Sequence, residues 1–519
     1  MAIASPENKK PTHILFSAFP AWGHVRPFCV LAARLVKDDE KIILTLILAP
    51  TLLSKAQAEI WAEFRGAVSD DIRRRIRVLS SFKSGSNDLF TLFAPLAKSY
   101  ATSYQALSQS RAVSCAVTGT VFDAVSPPSI VILDFFAYAQ LQATRTITGC
   151  SVPIVSWVTG HTASTIRLFG PTDRGGHGDL DARNAEEALR IGVTPREIGD
   201  SLYRHTDGTV VRIPGIPPMY DWEFFPQELY QRSLKECDAV LTTSAYALEA
   251  ESLEGLRSWF SEWKKDLYVI GPLLPSEYGR VAADSAPGFP ETREFLDKAL
   301  AEHGERSVML ISFGTIFWPT RQDYIEEVVE ALIENDFPFI ISYASPFATL
   351  SDGLIQKMKS SGLGHTSKCF PQQFILNHPA AGWFITHGGH NSVMEALGSG
   401  IPMICWPMEA DQAAAAAHLT ANLKVAFELV EVRTGLSGMK PLLRLESPDG
   451  TGRCQAKGTR EAVGVEIRGV IQACRGEKGD ELRANAREMK RRLVEAVEVG
   501  GVSRVELGRF FEKYDRPVL

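Results

Sequence analysis

Short apolar runs that alternate with helix-like segments constrain the fold of this chain more than any other feature. Four such runs, each about the length of a strand, are KIILTLILAP, SIVILDFF, VPIVSWV and SVMLISFGT. They lack the strict polar alternation of a half-exposed strand, so both faces of each strand are expected to be buried. Elsewhere Phe28, Leu31 and Leu35 recur at near-helical spacing. The predicted fold class is therefore α/β, with parallel sheets covered by helices.

The strand and helix pattern occurs twice, which predicts two domains in this chain of 519 residues. It restarts at SVMLIS, after a stretch rich in proline, glycine and serine over 271–290. Such a stretch is typical of an interdomain linker, although a long surface loop has the same composition. We predict a first domain over residues 1–272, a linker over 273–290, a second domain over 291–495, and a C-terminal helix within 496–519 that packs back on the first domain.

Composition and charge exclude several classes of partner. The net charge is −6, so no polybasic surface for nucleic acid or for a membrane is expected. No run of about 18 apolar residues occurs and the N-terminal segment lacks a signal-peptide core, so neither integral membrane association nor secretion is predicted. The eight cysteines form no Cys-x-x-Cys pair, which is typical of reduced thiols in a cytoplasmic protein.

The segment FITHGGHNSVMEAL has the pattern of a strand, a glycine turn and a helix. A helix N-terminus offers free N–H groups and a partial positive charge, which together bind anions. Gly389 permits close approach to a ligand, and His387, Asn391 and Ser392 add side-chain donors. Glu395, one helical turn further on, is placed to accept hydrogen bonds from sugar hydroxyls. The segment predicts a diphosphate at the helix start and a ribose at the glutamate; the alternative is a capped helix with a structural histidine.

A candidate general base follows the first strand, in FPAWGHVRP. The imidazole of His24 titrates near neutral pH and is suited to remove a proton from a hydroxyl group. Asp134 ends the strand SIVIL, and a carboxylate of this kind orients a catalytic histidine and offsets its charge. Two alternatives stay open, because a lone histidine is more often structural and an aspartate after a strand often caps the next helix.

The segment over 369–412, CFPQQFILNHPAAGWFITHGGHNSVMEALGSGIPMICWPMEADQ, resembles the signature of the UDP-dependent glycosyltransferases of small molecules, glycosyltransferase family 1. The resemblance extends over most of the chain, in AFPAWGHVRPFCVLAARL, ILDFF, IPGIPPM, LTTSAYALEAE, YVIGPL, SVMLISFGT and VGGVSRVELGRF. It implies the GT-B fold, in which two Rossmann-like domains face each other across a cleft. It also implies a soluble enzyme of fungal type.

The resemblance implies a role for each matching residue. The catalytic pair is His24 with Asp134. The residues expected to bind the UDP-sugar are Thr315, His387, Gly389, Asn391 and Ser392 at the phosphates, Gln372 and Glu395 at the ribose, and Asp411 and Gln412 at the transferred sugar.

Two positions depart from the family pattern. Cys369 stands where the family usually has a tryptophan that stacks on uracil, and His390 stands where plant members have tryptophan. Loss of one aromatic contact weakens binding by about 1 kcal/mol. Either Phe370 supplies the missing ring or the base is held mostly by backbone groups. Cys369 and Phe370 are therefore both candidates for the uracil site.

The resemblance predicts an inverting transfer of a hexose or pentose, with glucose favoured by Asp411 and Gln412 and xylose left open. No metal or other cofactor is expected. Asp179 and Asp181 have the Asp-x-Asp spacing of metal-dependent enzymes, but they lie in a polar segment predicted to be solvated surface. A non-catalytic nucleotide-sugar-binding partner is the main alternative. An oxidoreductase is set aside because FPAWGHVRP lacks the Gly-x-Gly-x-x-Gly turn.

The acceptor is predicted to be a lipophilic small molecule, such as a terpenoid or a phenolic compound, because the candidate acceptor residues are mostly aromatic. Each is equally suited to core packing. These candidates are Trp22, Phe135, Phe136, His161, the cluster MYDWEFFP over 219–226, Phe317 and Trp318. The sequence predicts no oligomeric state.

Overall fold

The computed structural model describes residues 11–64, 68–199, 201–224, 233–276, 278–279, 289–368, 370–446, 450 and 452–514. Within these ranges the chain forms two halves, each with its own parallel sheet and covering helices. Much of the predicted linker, at 277 and 280–288, lies outside the described residues, as does Cys369.

The first half is built on a seven-stranded parallel sheet with two small antiparallel pairs beside it. Its strands are β1 (Thr12–Ser17), β2 (Ile42–Ile47), β3 (Ile76–Leu79), β4 (Val113–Ser114), β5 (Val121–Phe122), β6 (Ile130–Asp134), β7 (Ile154–Val158), β8 (Val210–Val211), β9 (Met219–Tyr220), β10 (Ala239–Thr242) and β11 (Asp266–Val269). The parallel order is β11-β10-β7-β6-β1-β2-β3. Every residue of β1, β6, β7 and β10 is buried, because helices cover both faces.

The second half is built on a six-stranded parallel sheet of order β14-β13-β12-β15-β16-β17. Its strands are β12 (Val308–Ser312), β13 (Phe339–Ser342), β14 (Gly364–Ser367), β15 (Ala381–Thr386), β16 (Met403–Cys405) and β17 (Ala426–Glu428). Along β12, Val308 and Leu310 join one hydrophobic cluster, while Met309 and Ile311 join another. The sheet is therefore packed on both faces, as the continuous apolar run predicts.

Helices fill the connections between successive strands. In the first half they are α1 (Trp22–Asp38), α2 (Leu53–Ala62), α3 (Asp70–Arg75), α4 (Leu89–Ser108), α5 (Tyr138–Thr148), α6 (Thr162–Phe169), α7 (Leu180–Ile191), α8 (Pro195–Ile198), α9 (Ser201–Arg204), α10 (Ser233–Glu236) and α11 (Tyr246–Glu262). In the second half they are α12 (Pro290–His303), α13 (Gln322–Glu334), α14 (Asp352–Ser361), α15 (Gln372–Asn377), α16 (His390–Ser399), α17 (Gln412–Ala417), α18 (Gly435–Gly438), α19 (Arg460–Cys474) and α20 (Glu477–Val497). The last helix is α21 (Val502–Tyr514).

Helix α21 lies against the first half, at the edge strand β11. Phe510 is fully buried, and its ring centroid lies 5.4 Å from that of Tyr268. Lys513 pairs with Asp266 at the start of the same strand. The chain thus returns to the first half after completing the second. No described helix combines the length and the apolar character that a membrane span requires.

Candidate functional site

A cavity of about 2690 Å³ lies between the two halves. Strands of both sheets end at its walls, and ligands of parallel α/β sheets bind at these carboxyl ends. The cavity is therefore the candidate active site. The predicted site residues that line it are His24, Thr315, Phe370, Gln372, His387, Gly389, Asn391, Ser392, Glu395 and Asp411.

His24 and Asp134 form a hydrogen-bonded pair at the first-half wall. His24 lies in the first turn of α1, and its Nδ1 is 2.7 Å from Oδ2 of Asp134. Asp134 is the last residue of β6 and is fully buried. Thr159 Oγ1 lies 3.2 Å from the same His24 nitrogen. Because Nδ1 is engaged and Nε2 has no partner among the described residues, Nε2 is the nitrogen available to a substrate.

The N-terminus of helix α5 shows whether Asp134 has the alternative role of a helix cap. Its N-cap is Ala137, and no side chain caps it. Asp134 Oδ1 instead accepts the backbone N–H of Phe136 at 2.9 Å, ahead of the helix. This bond fixes the carboxylate while its other oxygen holds His24. Asp134 therefore does not cap the helix that follows, and its geometry is that of a residue orienting a histidine.

The first turn of α16 has no side-chain cap, which is the arrangement of a helix N-terminus that can bind an anion. Gly389 is its N-cap, and no side chain caps the helix. The alternative in which Asn391 or Ser392 caps this helix is therefore wrong. A Cβ on Gly389 would lie 2.4 Å from Nε2 of His387, so glycine is required where the turn passes the imidazole. The N–H groups of the first turn stay available to an anionic ligand.

His387 follows β15 and is buried against this turn. Its Nδ1 has no hydrogen-bond partner within the part of the chain that the structure describes. Burial lowers the pKa of His387 to about 4, against the opposing charge of Asp411. The ring is therefore neutral near pH 7, with one N–H donor and one acceptor nitrogen. A buried histidine with a purely structural role usually has its nitrogens paired, so the open nitrogen favours ligand binding.

Glu395 is buried one turn further along α16. Gln372 Nε2 donates to its Oε2 at 2.6 Å, and Gln373 Nε2 donates to its Oε1 at 3.2 Å. Arg26 of α1, in the opposite half, pairs with the same carboxylate. Burial raises the pKa of Glu395, while Arg26 and Gln372 oppose that rise. The structure brings Gln372 and Glu395 together, and Arg26 is a partner that the sequence did not indicate.

Asn391 and Ser392 lie beside each other at the same wall. Asn391 Nδ2 donates to the carbonyl of Gly23 at 2.8 Å, directly before His24. Ser392 Oγ lies 3.5 Å from Nε2 of Gln372. The first turn of α16 therefore contacts the first turn of α1, and the predicted phosphate donors face the predicted base.

Asp411 and Gln412 differ in position although they are adjacent in sequence. Asp411 lines the cavity, and its Oδ2 accepts the backbone N–H of His161 at 2.9 Å. Gln412 does not line it and is 1% exposed. Gln412 Oε1 instead accepts the N–H groups of Met408 and Glu409, at 2.8 and 3.0 Å. The expected sugar contact of Gln412 is thus not supported, since its carbonyl oxygen shapes the loop before Asp411.

The remaining predicted donor residues lie at the second-half wall. Thr315 is exposed in the loop that follows β12. Phe370 is half-buried, with its ring centroid 5.3 Å from that of His365. Cys369 is outside the described residues, so the two possibilities for the uracil site stay open.

Phenylalanines surround His24 on the cavity side. Phe19, Phe135 and Phe136 have ring centroids 5.5, 6.0 and 5.6 Å from the imidazole. Phe90 and Phe93 of α4 extend this wall, 6.1 and 5.2 Å from Phe19. Phe90 is 63% exposed. Neither α4 residue could be selected from the sequence, because α4 is distant from His24 in the chain. The base therefore faces an apolar, aromatic compartment.

The other acceptor candidates divide between the cavity and the protein interior. Trp22, His161, Phe317 and Trp318 also line the cavity. The described part of the MYDWEFFP cluster does not; Trp222 there donates to the carbonyl of Pro441 at 2.8 Å.

An irregular insertion over residues 433–459, RTGLSGMKPLLRLESPDGTGRCQAKGT, contributes to the cavity, although its sequence indicates no function. Its residues 434–438 line the cavity mouth, and Leu436 is 93% exposed there. An exposed leucine at the rim of an apolar cleft is suited to contact a lipophilic ligand. The insertion therefore belongs to the candidate site.

The Asp-x-Asp pair lies elsewhere. Asp179 is the N-cap of α7 and accepts the N–H of Ala182 at 3.2 Å. It also pairs with Lys235 at 2.9 Å. Neither Asp179 nor Asp181 lines the cavity, and Asp179 caps α7.

Comparisons with known proteins agree with this geometry. The family described as "UDP-glucoronosyl and UDP-glucosyl transferase" matches residues 256–437. UDP-glycosyltransferase eriJ of Hericium erinaceus is 28% identical over 504 residues, which cover 91% of this chain and 92% of that protein. The chain is a UDP-glycosyltransferase. It therefore transfers a sugar from a UDP-sugar donor to a small-molecule acceptor.

Two further proteins are similar to this UDP-glycosyltransferase. Anthocyanidin 3-O-glucosyltransferase of Zea mays is 31% identical over 347 residues, 62% of this chain and 65% of that protein. The crystal structure of UGT71G1 of Medicago truncatula complexed with UDP-glucose matches with a TM-score of 0.68 at 17% identity, over 97% of this chain and 98% of that one. The fold of this UDP-glycosyltransferase is GT-B, with two α/β halves across one cleft.

Proposed function

We propose that this enzyme transfers glucose, with inversion, from UDP-glucose to a hydroxyl group of a lipophilic terpenoid or phenolic compound. The observation that carries the proposal is the His24–Asp134 pair, bonded at 2.7 Å and facing the open N-terminus of α16 across the cavity. A base and an anion site on opposite walls are the two groups that direct displacement at a sugar carbon requires.

The donor is held mainly by the second half. In this proposal the first turn of α16, with His387, Asn391 and Ser392, binds the diphosphate, and Thr315 approaches it from the loop after β12. Glu395 and Gln372 bind the ribose, and Asp411 accepts hydrogen bonds from hydroxyl groups of the transferred sugar. Uracil lies near Phe370. Gln412 supports Asp411 through the loop over 408–409 rather than by direct contact.

Transfer then follows from the placement of these groups. His24 Nε2 removes the acceptor proton as the acceptor oxygen attacks C1 of the sugar. Asp134 holds the imidazole in orientation and offsets the charge that it gains. The C1–O bond to UDP breaks on the opposite face, so the configuration at C1 inverts. The helix N-terminus stabilises the departing diphosphate, and for this reason the proposal includes no metal.

The acceptor occupies the aromatic compartment around His24. Five phenylalanines and the exposed Leu436 favour an apolar ligand that is large enough to reach the cavity mouth. The activity named for the Zea mays relative, glucosylation of an anthocyanidin, supports both a phenolic acceptor and a glucose donor.

Calorimetric titration tests the donor. We expect UDP and UDP-glucose to bind in EDTA. UDP-xylose lacks the hydroxymethyl group of glucose, so under this proposal it is expected to bind at least about 10-fold more weakly. Added magnesium is expected to leave the Kd unchanged. Tighter binding of UDP-xylose would reassign the donor, and binding that requires magnesium would contradict the metal-free mechanism.

A product assay tests the acceptor and the stereochemistry. Terpenoid and flavonoid alcohols are incubated with UDP-glucose, and the anomeric configuration of each glucoside is read by NMR. The α-linked donor is expected to give β-glucosides only. An α-glucoside would contradict the direct displacement.

A further inference from the structure

A buried cluster of ionisable side chains lies behind the donor site and belongs to neither the base pair nor the predicted donor residues. It consists of His161, Glu249 and His390, each less than 5% exposed. Nδ1 of His161 is 3.7 Å from Oε1 of Glu249. The rings of His161 and His390 meet edge to face, with centroids 5.0 Å apart. His161 and Glu249 come from the acceptor half and His390 from the donor half, so the cluster spans the cleft.

Glu249 is fixed in place by other donors. The backbone N–H of Thr162 donates to Oε1 at 3.0 Å, the Thr162 hydroxyl donates to Oε2 at 3.1 Å, and the Ser244 hydroxyl donates to Oε2 at 2.6 Å. The backbone at Glu249 departs from helical geometry, with φ −136° and ψ 45°, inside α11. A kink at this residue directs the carboxylate towards the start of α6 rather than along the helix. Glu249 is thus a rigid anion placed beside His161.

His161 contacts the donor half twice. Its Nε2 lies 3.1 Å from the carbonyl oxygen of Gly388, and its backbone N–H donates to Asp411 Oδ2 at 2.9 Å. Gly388 has a φ of +86° and lies between His387 and the first turn of α16. The His161 ring therefore connects the Glu249 carboxylate to the turn that forms the diphosphate site.

We propose that His161 is a positioning residue, which as an imidazolium held by Glu249 donates to Gly388 and fixes the diphosphate-binding turn. The proposal rests on the proposed function, since it assumes that this turn binds the donor. Both ring nitrogens are then donors: Nδ1–H faces the Glu249 carboxylate and Nε2–H faces the Gly388 carbonyl. A neutral ring carries only one N–H and no charge, so it cannot both pair with Glu249 and donate to Gly388.

The charges around His161 support the protonated form. Burial alone would lower the pKa of His161, but Glu249, Asp411 and the Gly388 carbonyl together raise it to about 9. On the donor side, burial lowers the pKa of both His387 and His390 to about 4, so neither competes for the proton. The cation is therefore present near pH 7 and is lost as the pH rises through about 9.

The experiment compares UDP affinity and turnover in variants of the cluster. His161→Leu removes the ion pair with Glu249 and the hydrogen bond to Gly388, and its Kd for UDP is expected to rise about 10-fold or more, the usual scale for a hydrogen bond that involves a charged group. His161→Gln keeps an N–H donor without the charge and is expected to recover part of that loss. Glu249→Gln is expected to weaken UDP binding in the same direction. In each variant the KM for the UDP-sugar rises, while kcat falls less than about 3-fold.

The pH profile separates positioning from a structural role. The readout is the ratio of the Kd values of His161→Gln and the unmodified enzyme at each pH, which cancels the titration of UDP itself. This ratio is expected to fall towards one between pH 7.5 and pH 10, because only the unmodified enzyme loses a charge. A ratio that is constant over this range, in folded proteins, would overturn the proposal.

The control is another buried histidine with two hydrogen-bond partners. His13 contacts Ser126 O at 2.7 Å and Thr45 Oγ1 at 2.8 Å, in β1 away from the cavity. His13→Gln is expected to lower the melting temperature without changing the Kd for UDP. An equal loss of affinity in this control would overturn the proposal.

Two further measurements distinguish the possible failures. Zinc at one atom per chain, found by elemental analysis of the purified enzyme, would overturn the proposal, because a metal bound by these three side chains would replace the proton. No UDP binding by the unmodified enzyme would instead contradict the proposed function. UDP binding that His161→Leu leaves intact would overturn this inference alone.

Discussion

The hydrogen bond between His24 and Asp134 leaves one ring nitrogen of His24 for the proposed chemistry. Asp134 and Thr159 both approach Nδ1, at 2.7 and 3.2 Å, and Trp157 Nε1 donates to the His24 carbonyl at 3.0 Å. The ring is therefore held at Nδ1, and the backbone of His24 is held at its carbonyl oxygen. The consequence is a fixed Nε2 facing the aromatic compartment, which is the arrangement a general base requires.

His24→Ala is the prediction at this scale. Removal of the imidazole is expected to lower kcat by about 100-fold or more, the usual scale for a general base, because no other described residue offers a nitrogen at that position. The Kd for UDP is expected to stay within about 2-fold, since the donor contacts lie on the opposite wall. Initial rates and calorimetry measure the two quantities. Strongly weakened UDP binding in a folded variant would contradict the assignment.

Gln412 shows where residue-level inference from the sequence ends. Asp411 and Gln412 are consecutive, and the family resemblance predicts the same ligand for both. Helix α17 begins at Gln412, so the two side chains leave the backbone in different directions, and only Asp411 lines the cavity. The direction of a side chain at a helix start depends on the surrounding fold. It cannot be read from the fact that two residues are adjacent in the sequence.

At the scale of the elements, the strands were the most predictable part of the molecule. The run SVMLIS forms β12 with both faces buried. A continuous apolar run is typical of such a strand, because the side chains on both of its faces pack against helices. The same holds for β6, which delivers Asp134. Contacts between segments that are distant in sequence were not predictable. Arg26 reaches Glu395, and Phe90 reaches Phe19, only because loops and helices distant in sequence meet in the fold.

The turn before α16 supports a second prediction. Gly389 has φ −63° and ψ 143°, a conformation that alanine adopts without strain. The effect of Gly389→Ala therefore comes from its Cβ, which would lie 2.4 Å from the His387 imidazole. We expect the ring to be displaced and the Kd for UDP to rise about 10-fold, on the scale of an overpacked contact. Calorimetry with UDP measures this change.

A matched control is available in α19. Gly469 is exposed in the helix interior, and a Cβ there would meet nothing within 4 Å. Gly469→Ala is expected to stabilise the protein by up to about 1 kcal/mol through helix propensity and to leave the Kd for UDP unchanged. Unchanged UDP binding in Gly389→Ala would show that the His387 ring is not part of the donor site.

At the scale of the whole molecule, the two halves are joined by specific polar contacts as well as by the chain. Four of these lie close to the cavity: Asn391 to Gly23, Arg26 to Glu395, His161 to Gly388, and His161 N–H to Asp411. Each joins a predicted donor residue or its turn to the acceptor half. In the proposed function, donor binding and the alignment of His24 are therefore linked through the same contacts.

Arg26 forms the one ion pair among these four contacts, and the last prediction concerns it. It pairs with Glu59 at 2.9 Å within its own half and with Glu395 in the other, both largely buried. Arg26→Met is expected to lower the free energy of unfolding by about 3 kcal/mol, because it leaves a buried carboxylate without its cation. In a Glu395→Gln background the same substitution is expected to cost less than about half as much. Urea titration of the four proteins gives the coupling.

Arg491 supplies the control for this cycle, since it pairs with Glu488 and Glu495 on the exposed face of α20. Arg491→Met is expected to leave the stability almost unchanged, because water screens exposed pairs. Equal costs of Arg26→Met in the two backgrounds would mean that Arg26 stabilises only its own half, through Glu59. A large coupling would mean that α1, which carries His24, is held to Glu395 of α16, so that one buried ion pair sets the distance between the proposed base and the proposed donor site.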